Sequence, residues 1–380
     1  MNCKTLTELV ITALLCTSIG ILALPAAAES PATDTTASEQ AVTVKDSTSD
    51  CRKLDNGSPK KCTVPSSSTL PLTGEIGKTG TGSSARRPRI GLALGGGGTR
   101  GIAHLGVLKV LEDEGIHIDC IAGTSMGAIV GGLWAAGLSA DDVRKICFSK
   151  SFVRSFDTIP IAARVALIPV FFIPHLVGYH PYDGLYRGNK FRNFLNNCVS
   201  LNEQQVDKLK IPFVAVASNL VDGKQFVIKE GNLGRAVQAS SAVPQLRRPV
   251  FWNENALLVD GGLTCNVPVT ECRALGADIV IAVDVDEALG HIKPDHFRKI
   301  GSVAYRALNM HLSQIDDPQI RDADIVIHPD VNGIELLSRK KKDMDDAVNE
   351  GTKATKEAIP SIRAEIDKKL CNTEATGKQL

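Results

Sequence analysis

Two apolar runs, each ending in a glycine-bordered turn that opens a helical pattern, restrict this chain to one kind of architecture. Residues 90–94 run into Gly95-Gly96-Gly97-Gly98-Thr99-Arg100-Gly101, and residues 118–124 run into Gly123-Thr124-Ser125-Met126-Gly127. Between them Ile102, Leu105, Leu108 and Leu111 fall at helical spacing, and Gly115 is placed to end that helix. Strand, helix, strand is the crossover that parallel pairing requires, and a parallel sheet is stable only with both faces covered. The alternation starts at Pro88 and continues through further buried-type strands at residues 213–217, 225–228, 256–259, 279–285 and 325–328. The expected fold is α/β: a three-layer α/β/α sandwich with a largely parallel central sheet, over residues 88–370, followed by a tail at 371–380. No internal repeat is evident.

The same two turns carry chemistry. The run Gly96, Gly97, Gly98, Thr99, Arg100, Gly101 offers backbone N–H donors at a helix start, where they are unpaired and the helix dipole favours negative charge. The second turn presents Ser125 between Gly123 and Gly127, glycines that let strand and helix approach closely. Acyl transfer needs both a nucleophile and donors for an oxyanion, and both are supplied here within one strand-helix-strand stretch. Serine also needs a base. None of the eight histidines falls in a glycine-bordered turn, whereas Leu257-Leu258-Val259-Asp260-Gly261-Gly262 delivers a carboxylate to the C-terminal end of an apolar strand. That is the end where sites form in parallel sheets. On pattern alone, Asp260 with Gly261 and Gly262 is also an ordinary strand-ending turn.

The rest of the chain sets bounds. A hydrophobic fraction of 43% over 380 residues builds a substantial core, while a formal net charge of +1 and 4% aromatics give no surface for nucleic acid. Residues 9–24 are apolar, preceded by Lys4 and followed by Pro25-Ala26-Ala27-Ala28-Glu29, the pattern of a secretory signal cleaved after Ala28. The stretch is short for the ~20 residues of a membrane span. Export to a periplasm or the medium, with or without attachment to a membrane, is the expectation. Residues 29–87 are rich in Ser, Thr, Pro and Gly and read as a flexible linker, in which Cys51 and Cys62 would pair in an oxidising compartment. Cys120, Cys147, Cys198, Cys265, Cys272 and Cys371 lack zinc-type spacing, and most are expected to be buried. The apolar stretch 152–178, broken by Pro160, Pro169 and Pro174, reads either as a lid that meets lipid or as a buried insertion. Residues 339–370 read as helices, with Arg339-Lys340-Lys341-Lys342 a solvated helix start.

Gly96-Gly97-Gly98-Thr99-Arg100-Gly101, Gly123-Thr124-Ser125-Met126-Gly127 and Asp260-Gly261-Gly262, in this order, resemble the three signature blocks of the patatin-like phospholipase family, most closely its bacterial members. Similarity continues through Ala239-Ser240-Ser241-Ala242-Val243-Pro244, Asn266-Val267-Pro268-Val269 and Ala323-Asp324-Ile325-Val326-Ile327, spanning residues 88–363. The resemblance implies a lipid acyl hydrolase with a Ser-Asp dyad and no histidine. Ser125 would be the nucleophile and Asp260 the base. The oxyanion would meet N–H groups of Gly97, Gly98 and the neighbouring turn, with Arg100 in the family's basic position, either on a lipid phosphate or in a salt bridge that fixes the turn. It implies no metal and no cofactor, an acyl-ester substrate such as a phospholipid, and transient contact with a membrane surface; it leaves the oligomeric state open. Gln245-Leu246-Arg247-Arg248 and Thr264-Cys265 depart from the family's more usual residues and put substrate preference in doubt.

Three rival readings stay open at this level. Gly96, Gly98 and Gly101 also fit a dinucleotide-binding fingerprint, but the acid it expects near the end of the second strand is missing, since Asp119 stands at that strand's start. An α/β-hydrolase triad of Ser125, Asp260 and a later His291 or His296 is allowed by chain order. A non-catalytic lipid-binding module would not need all three blocks.

Overall fold

A computed structural model describes residues 86–156, 182, 184–244, 246–298 and 302–377. The expected signal segment, the Cys51–Cys62 pairing and residues 157–178 of the apolar stretch lie outside the described residues. Among the described residues, no helix is long and apolar enough to cross a membrane.

Eight strands form one sheet: β1 (Ile90–Leu94), β2 (Cys120–Thr124), β3 (Phe213–Asn219), β4 (Gln225–Ile228), β5 (Val250–Asn253), β6 (Ala256–Asp260), β7 (Ile279–Val283) and β8 (Ile325–Ile327). Their order is β5-β6-β3-β2-β1-β7-β8, with β4 also on β3. β3, β2, β1, β7 and β8 run parallel; β4, β5 and β6 are antiparallel to their neighbours. The α/β expectation therefore holds, with a mixed but mostly parallel sheet.

Periodicity explains the layers. Leu92, Leu94, Ile121 and Phe213 point to one face, while Ala93, Cys120, Ala122 and Val214 point to the other and meet Val267, Val269 and Cys272. The first face packs on α1 (Ala103–Asp113) and α2 (Met126–Ala135), through Leu105, Leu108, Ile129 and Leu133. The second is covered by α7 (Val269–Ala274), whose short turn is held against β1. Each such fully buried Leu or Ile contributes roughly 1.5–3 kcal/mol relative to exposure. The remaining helices are α3 (Ala140–Cys147), α4 (Lys150–Phe156), α5 (Asn189–Cys198), α6 (Leu233–Ser240), α8 (Ser302–Arg321) and α9 (Lys341–Gly377).

Several boundaries shift. The helix expected over 101–115 begins as a 3-10 turn, Gly98–Ile102, continues as α1 and ends at Gly115, whose φ of 64° suits glycine. The helices expected over 339–370 are one helix, α9, which runs past 370 to Gly377. It lies against α1 where Gly106 faces the Val348 and Thr352 backbone and Gly351 faces Ala103, leaving no room for a side chain at either glycine. The described start of the apolar stretch belongs to the core: Phe152 is buried, and Phe156 meets the Phe191 ring edge-on at 5.2 Å. Cys120, Cys147, Cys265 and Cys272 are buried free thiols, Cys198 is half-buried and Cys371 exposed.

β3 acts as a rail that brings two distant segments together. Ala215 and Val216 pair with both β2 and β4, and Ala217 and Ser218 pair with both β4 and β6. A strand has two edges, so β2 and β6 must share the edge opposite β4. They lie end to end along it, in opposite directions, with Thr124 facing Val216 and Asp260 facing Ala217. The carboxyl ends of β2 and β6 thus meet at neighbouring positions of one strand.

Candidate active site

Ser125 follows Thr124 at that meeting point, in a backbone conformation of φ 51° and ψ −115°. Among the described residues it is the one non-glycine with positive φ, a conformation that costs on the order of 1–3 kcal/mol and persists only where the surroundings enforce it. They do so by close packing. A Cβ at Gly127 would strike the carbonyl groups of Leu94 and Gly95, and one at Gly123 would lie 2.7 Å from the Ala128 nitrogen. The Ser125 backbone N–H donates to Ser240 Oγ at 2.9 Å, which anchors the turn to the end of α6.

Ser125 Oγ donates to Asp260 Oδ2 at 2.7 Å. The aspartate is fixed in turn: its backbone N–H donates to the Ala242 carbonyl at 3.0 Å, and its Oδ1 accepts from the Gly262 N–H at 2.9 Å. Gly261 has no space for a side chain, because the Val216 backbone and Thr124 occupy it. Burial pushes the Asp260 carboxyl up to about 6, against the opposing pull of its bonds from Ser125 and Gly262 and of the nearby Arg247 charge. It is therefore mostly ionised at neutral pH and close enough to neutrality to take and return a proton. Arg247 is buried, with its guanidinium 3.9 Å from the centre of the Phe156 ring.

The glycine run lies beside Ser125: a Cβ at Gly96 would be 3.2 Å from Ser125 Cβ. The structure narrows the set of donors expected there. The Gly96 N–H is taken by Asn266, through its backbone carbonyl at 3.2 Å and its Oδ1 at 3.1 Å. Thr99 N–H donates to the Leu336 carbonyl and Arg100 N–H to the Gly97 carbonyl. Gly101 sits inside the 3-10 turn, packed against Met126. Gly97 and Gly98 are left with N–H groups that have no partner among the described residues. Gly96, Thr99, Arg100 and Gly101 shape the turn, and only Gly97 and Gly98 offer free amides.

Arg100 does not face a headgroup. It is 1% exposed, donates from Nε to the Ile334 carbonyl and from Nη2 to Tyr305 Oη, and pairs with Glu287 at 2.6 Å. Of its two expected roles the structure shows the salt bridge that fixes the turn. The rivals also lose ground. His291 and His296 are exposed, and neither bonds Ser125 or Asp260. Asp119, at the start of β2, is held by Arg87 at 2.6 Å and by the Ile90 N–H.

Sequence reasoning gave no role to Ser240, Ala242 or Asn266, which appeared only as parts of similar blocks, and it missed a buried acidic group altogether. Carboxylate oxygens of Asp284, Asp286 and Asp316 lie within 4.8 Å of one another, the one group among the described residues that could hold a metal ion. Protein donors already face them. Asn266 Nδ2 donates to Asp316 at 2.9 Å, Val267 N–H to Asp316 at 3.0 Å and Asp286 N–H to Asp284 at 2.9 Å; His328 Nδ1 lies 2.9 Å from Asp284. Burial and the neighbouring carboxylates push Asp286 up to about 9, so a proton held there offsets the crowded negative charge. The position of Asp284 and Asp286 just beyond β7 was a usable signal; Asp316, inside α8, offered none.

The family model described as patatin-like phospholipase matches residues 92–273, which include every residue of the Ser125–Asp260 arrangement. The lysophospholipase NTE1 of Mycosarcoma maydis is 35% identical over 196 residues, 52% of this chain and 10% of that protein. An uncharacterized NTE family protein of Mycobacterium bovis is 34% identical over 207 residues, covering 54% of this chain and 51% of its own length. The chain thus spans about half of the bacterial relative and a tenth of the fungal one. Human GIVD cytosolic phospholipase A2 superposes over 76% of this chain and 60% of its own, with a TM-score of 0.44 and 12% identity. Residues 92–273 are thus a patatin-like phospholipase domain by the family model that matches them.

Proposed function

We propose that this protein is a serine lipid acyl hydrolase, of the phospholipase, lysophospholipase or esterase kind, working through a Ser125–Asp260 dyad and an acyl-enzyme. Family membership is consistent with a lipid acyl hydrolase; the dyad rests on one observation, the 2.7 Å bond from Ser125 Oγ to Asp260 Oδ2. Asp260 takes the hydroxyl proton as Oγ attacks the ester carbonyl. The oxyanion that forms is met by the Gly97 and Gly98 amides, each such donor being worth roughly 3–4 kcal/mol of barrier. The tetrahedral intermediate collapses, breaking the ester C–O bond; Asp260 returns its proton to the leaving alcohol, and the acyl group remains on Ser125. Water then attacks the acyl-enzyme, giving its proton to Asp260, and the fatty acid leaves as Oγ recovers the proton.

A panel of variants tests this reading. Ser125→Ala and Asp260→Asn are expected to abolish hydrolysis of a short-chain nitrophenyl ester, whereas His291→Ala and His296→Ala keep it. Loss of activity in either histidine variant, with folding intact, points to a triad instead. Export through residues 1–28 and transient work at a membrane surface belong to the same proposal, and cell fractionation of the full chain checks the first of these.

A further inference from the structure

Asn266 sits between two turns and helix α8. Its Oδ1 accepts the Gly96 N–H at 3.1 Å, its Nδ2 donates to Asp316 Oδ2 at 2.9 Å, and its backbone carbonyl also meets the Gly96 N–H. A Cβ on Gly96 would collide with the Asn266 Oδ1, and one on Gly262, in the Asp260 turn, would lie 3.2 Å from the same atom. The amide thus fills the gap between the glycine run and the aspartate turn. The shortest bond holding its rotamer comes from Asp316, 1% exposed on α8, which takes Nδ2 with one oxygen and the Val267 N–H with the other, while Asp286 at 3.4 Å and the Gly96 carbonyl at 3.5 Å face the same Nδ2.

We infer that Asp316 is a positioning residue for the oxyanion turn: through Asn266 it holds Gly96, and so aims the Gly97 and Gly98 amides at the carbonyl attacked by Ser125. The inference rests on the Ser125 reading proposed above. The physical reason is directional. An asparagine amide has one acceptor and one donor end, and only the donor end suits a carboxylate, so Asp316 selects the orientation that leaves Oδ1 for Gly96. Without that anchor only the longer contacts to Asp286 and the Gly96 carbonyl oppose the amide turning over to present N–H to N–H. Gly96 then loses its side-chain acceptor, and a shift of about 1 Å in the turn costs roughly 10²-fold in rate. The interaction acts on a charge that exists only in the transition state, so it belongs to kcat and not to KM.

The test compares kcat and KM on a short-chain nitrophenyl ester for the full chain and four variants, with thermal melts to confirm folding. Asp316→Ala and Asp316→Asn are expected to lower kcat by roughly 10- to 100-fold with KM within about twofold. Asp316→Asn keeps the side-chain volume but sets one amide NH₂ against another. Combining it with Asn266→Asp restores one donor and one acceptor, with an oxygen for Gly96 and an oxygen for Val267, and is expected to recover kcat to within about threefold. A purely structural role would lower the melting temperature without this rescue. Ser125→Ala separates the two levels of argument. If it is inactive while both Asp316 variants keep wild-type kcat, or if the double exchange recovers nothing, the positioning role is overturned and the dyad stands. If Ser125→Ala is active, the dyad falls and this inference with it.

Discussion

An Asp260→Asn variant removes the charge from a carboxylate that burial raises from its ordinary 3.8 to about 6. The difference of roughly 2 pH units means that the folded protein disfavours the ionised form by about 3 kcal/mol. The sign follows from proton binding: the folded state holds the Asp260 proton more tightly than the unfolded chain does. The cost of ionisation is therefore absent below the unfolded value of 3.8, grows as pH rises, and is complete above about 6. Asparagine is neutral throughout, and its amide keeps an oxygen for Gly262 and a donor toward Ser125 Oγ. The variant is expected to be more stable than wild type by up to about 3 kcal/mol near pH 8, and by only about 1 kcal/mol near pH 4.5. Urea unfolding followed by the fluorescence of Trp134 and Trp252, the chain's two tryptophans, measures both values. A variant less stable than wild type near pH 8, or a gain that does not change with pH, refutes the claim that a charge is held at this site at a cost.

Three further outcomes follow from the geometry. With Asp260 as the base, wild-type kcat/KM should fall about tenfold between pH 7 and pH 5; a profile flat down to pH 5, read at the nitrophenol isosbestic wavelength, contradicts the value of about 6. Gly127→Ala drives a methyl group into the Leu94 and Gly95 carbonyls and is expected to cost roughly 1–3 kcal/mol along with activity, and an unchanged melting temperature contradicts the packing argument. Arg100→Met leaves Glu287 without its ion-pair partner and is expected to cost roughly 3 kcal/mol while altering activity on neutral esters and phospholipids alike. Selective loss on phospholipids would place Arg100 at the headgroup.

The first two strands and both glycine turns were legible because local chemistry decided them: apolar runs, glycine where backbones touch, and a serine between two glycines. Ile90–Leu94 and Gln225–Ile228 were read with their observed bounds, and the other expected strands were misjudged by one or two residues at one end. The edge strand β5 was missed, since Val250–Asn253 follows two arginines and a proline and is half solvent-facing. Direction was not legible either. Apolar content marks β6 as buried but not as antiparallel, yet that reversal, on the edge of β3 shared with β2, is what carries Asp260 to Ser125. The glycine run shows that amides are present, but which of them stay free depends on Asn266 and Leu336, 170 and more residues away. The acid group failed for the same reason: Asp316 lies inside a helix and acquires its role only by contact with Asn266.

The proposed mechanism requires a covalent intermediate on Ser125 formed with Asp260 as base. Incubation with a fluorophosphonate ester, followed by intact mass and peptide mapping, tests it most directly. One equivalent of adduct on the peptide containing Ser125, with labelling slowed by orders of magnitude in Asp260→Asn, is the expected result. A label on another residue, or undiminished labelling of Ser125 when Asp260 is replaced, would rule out the Ser125–Asp260 dyad.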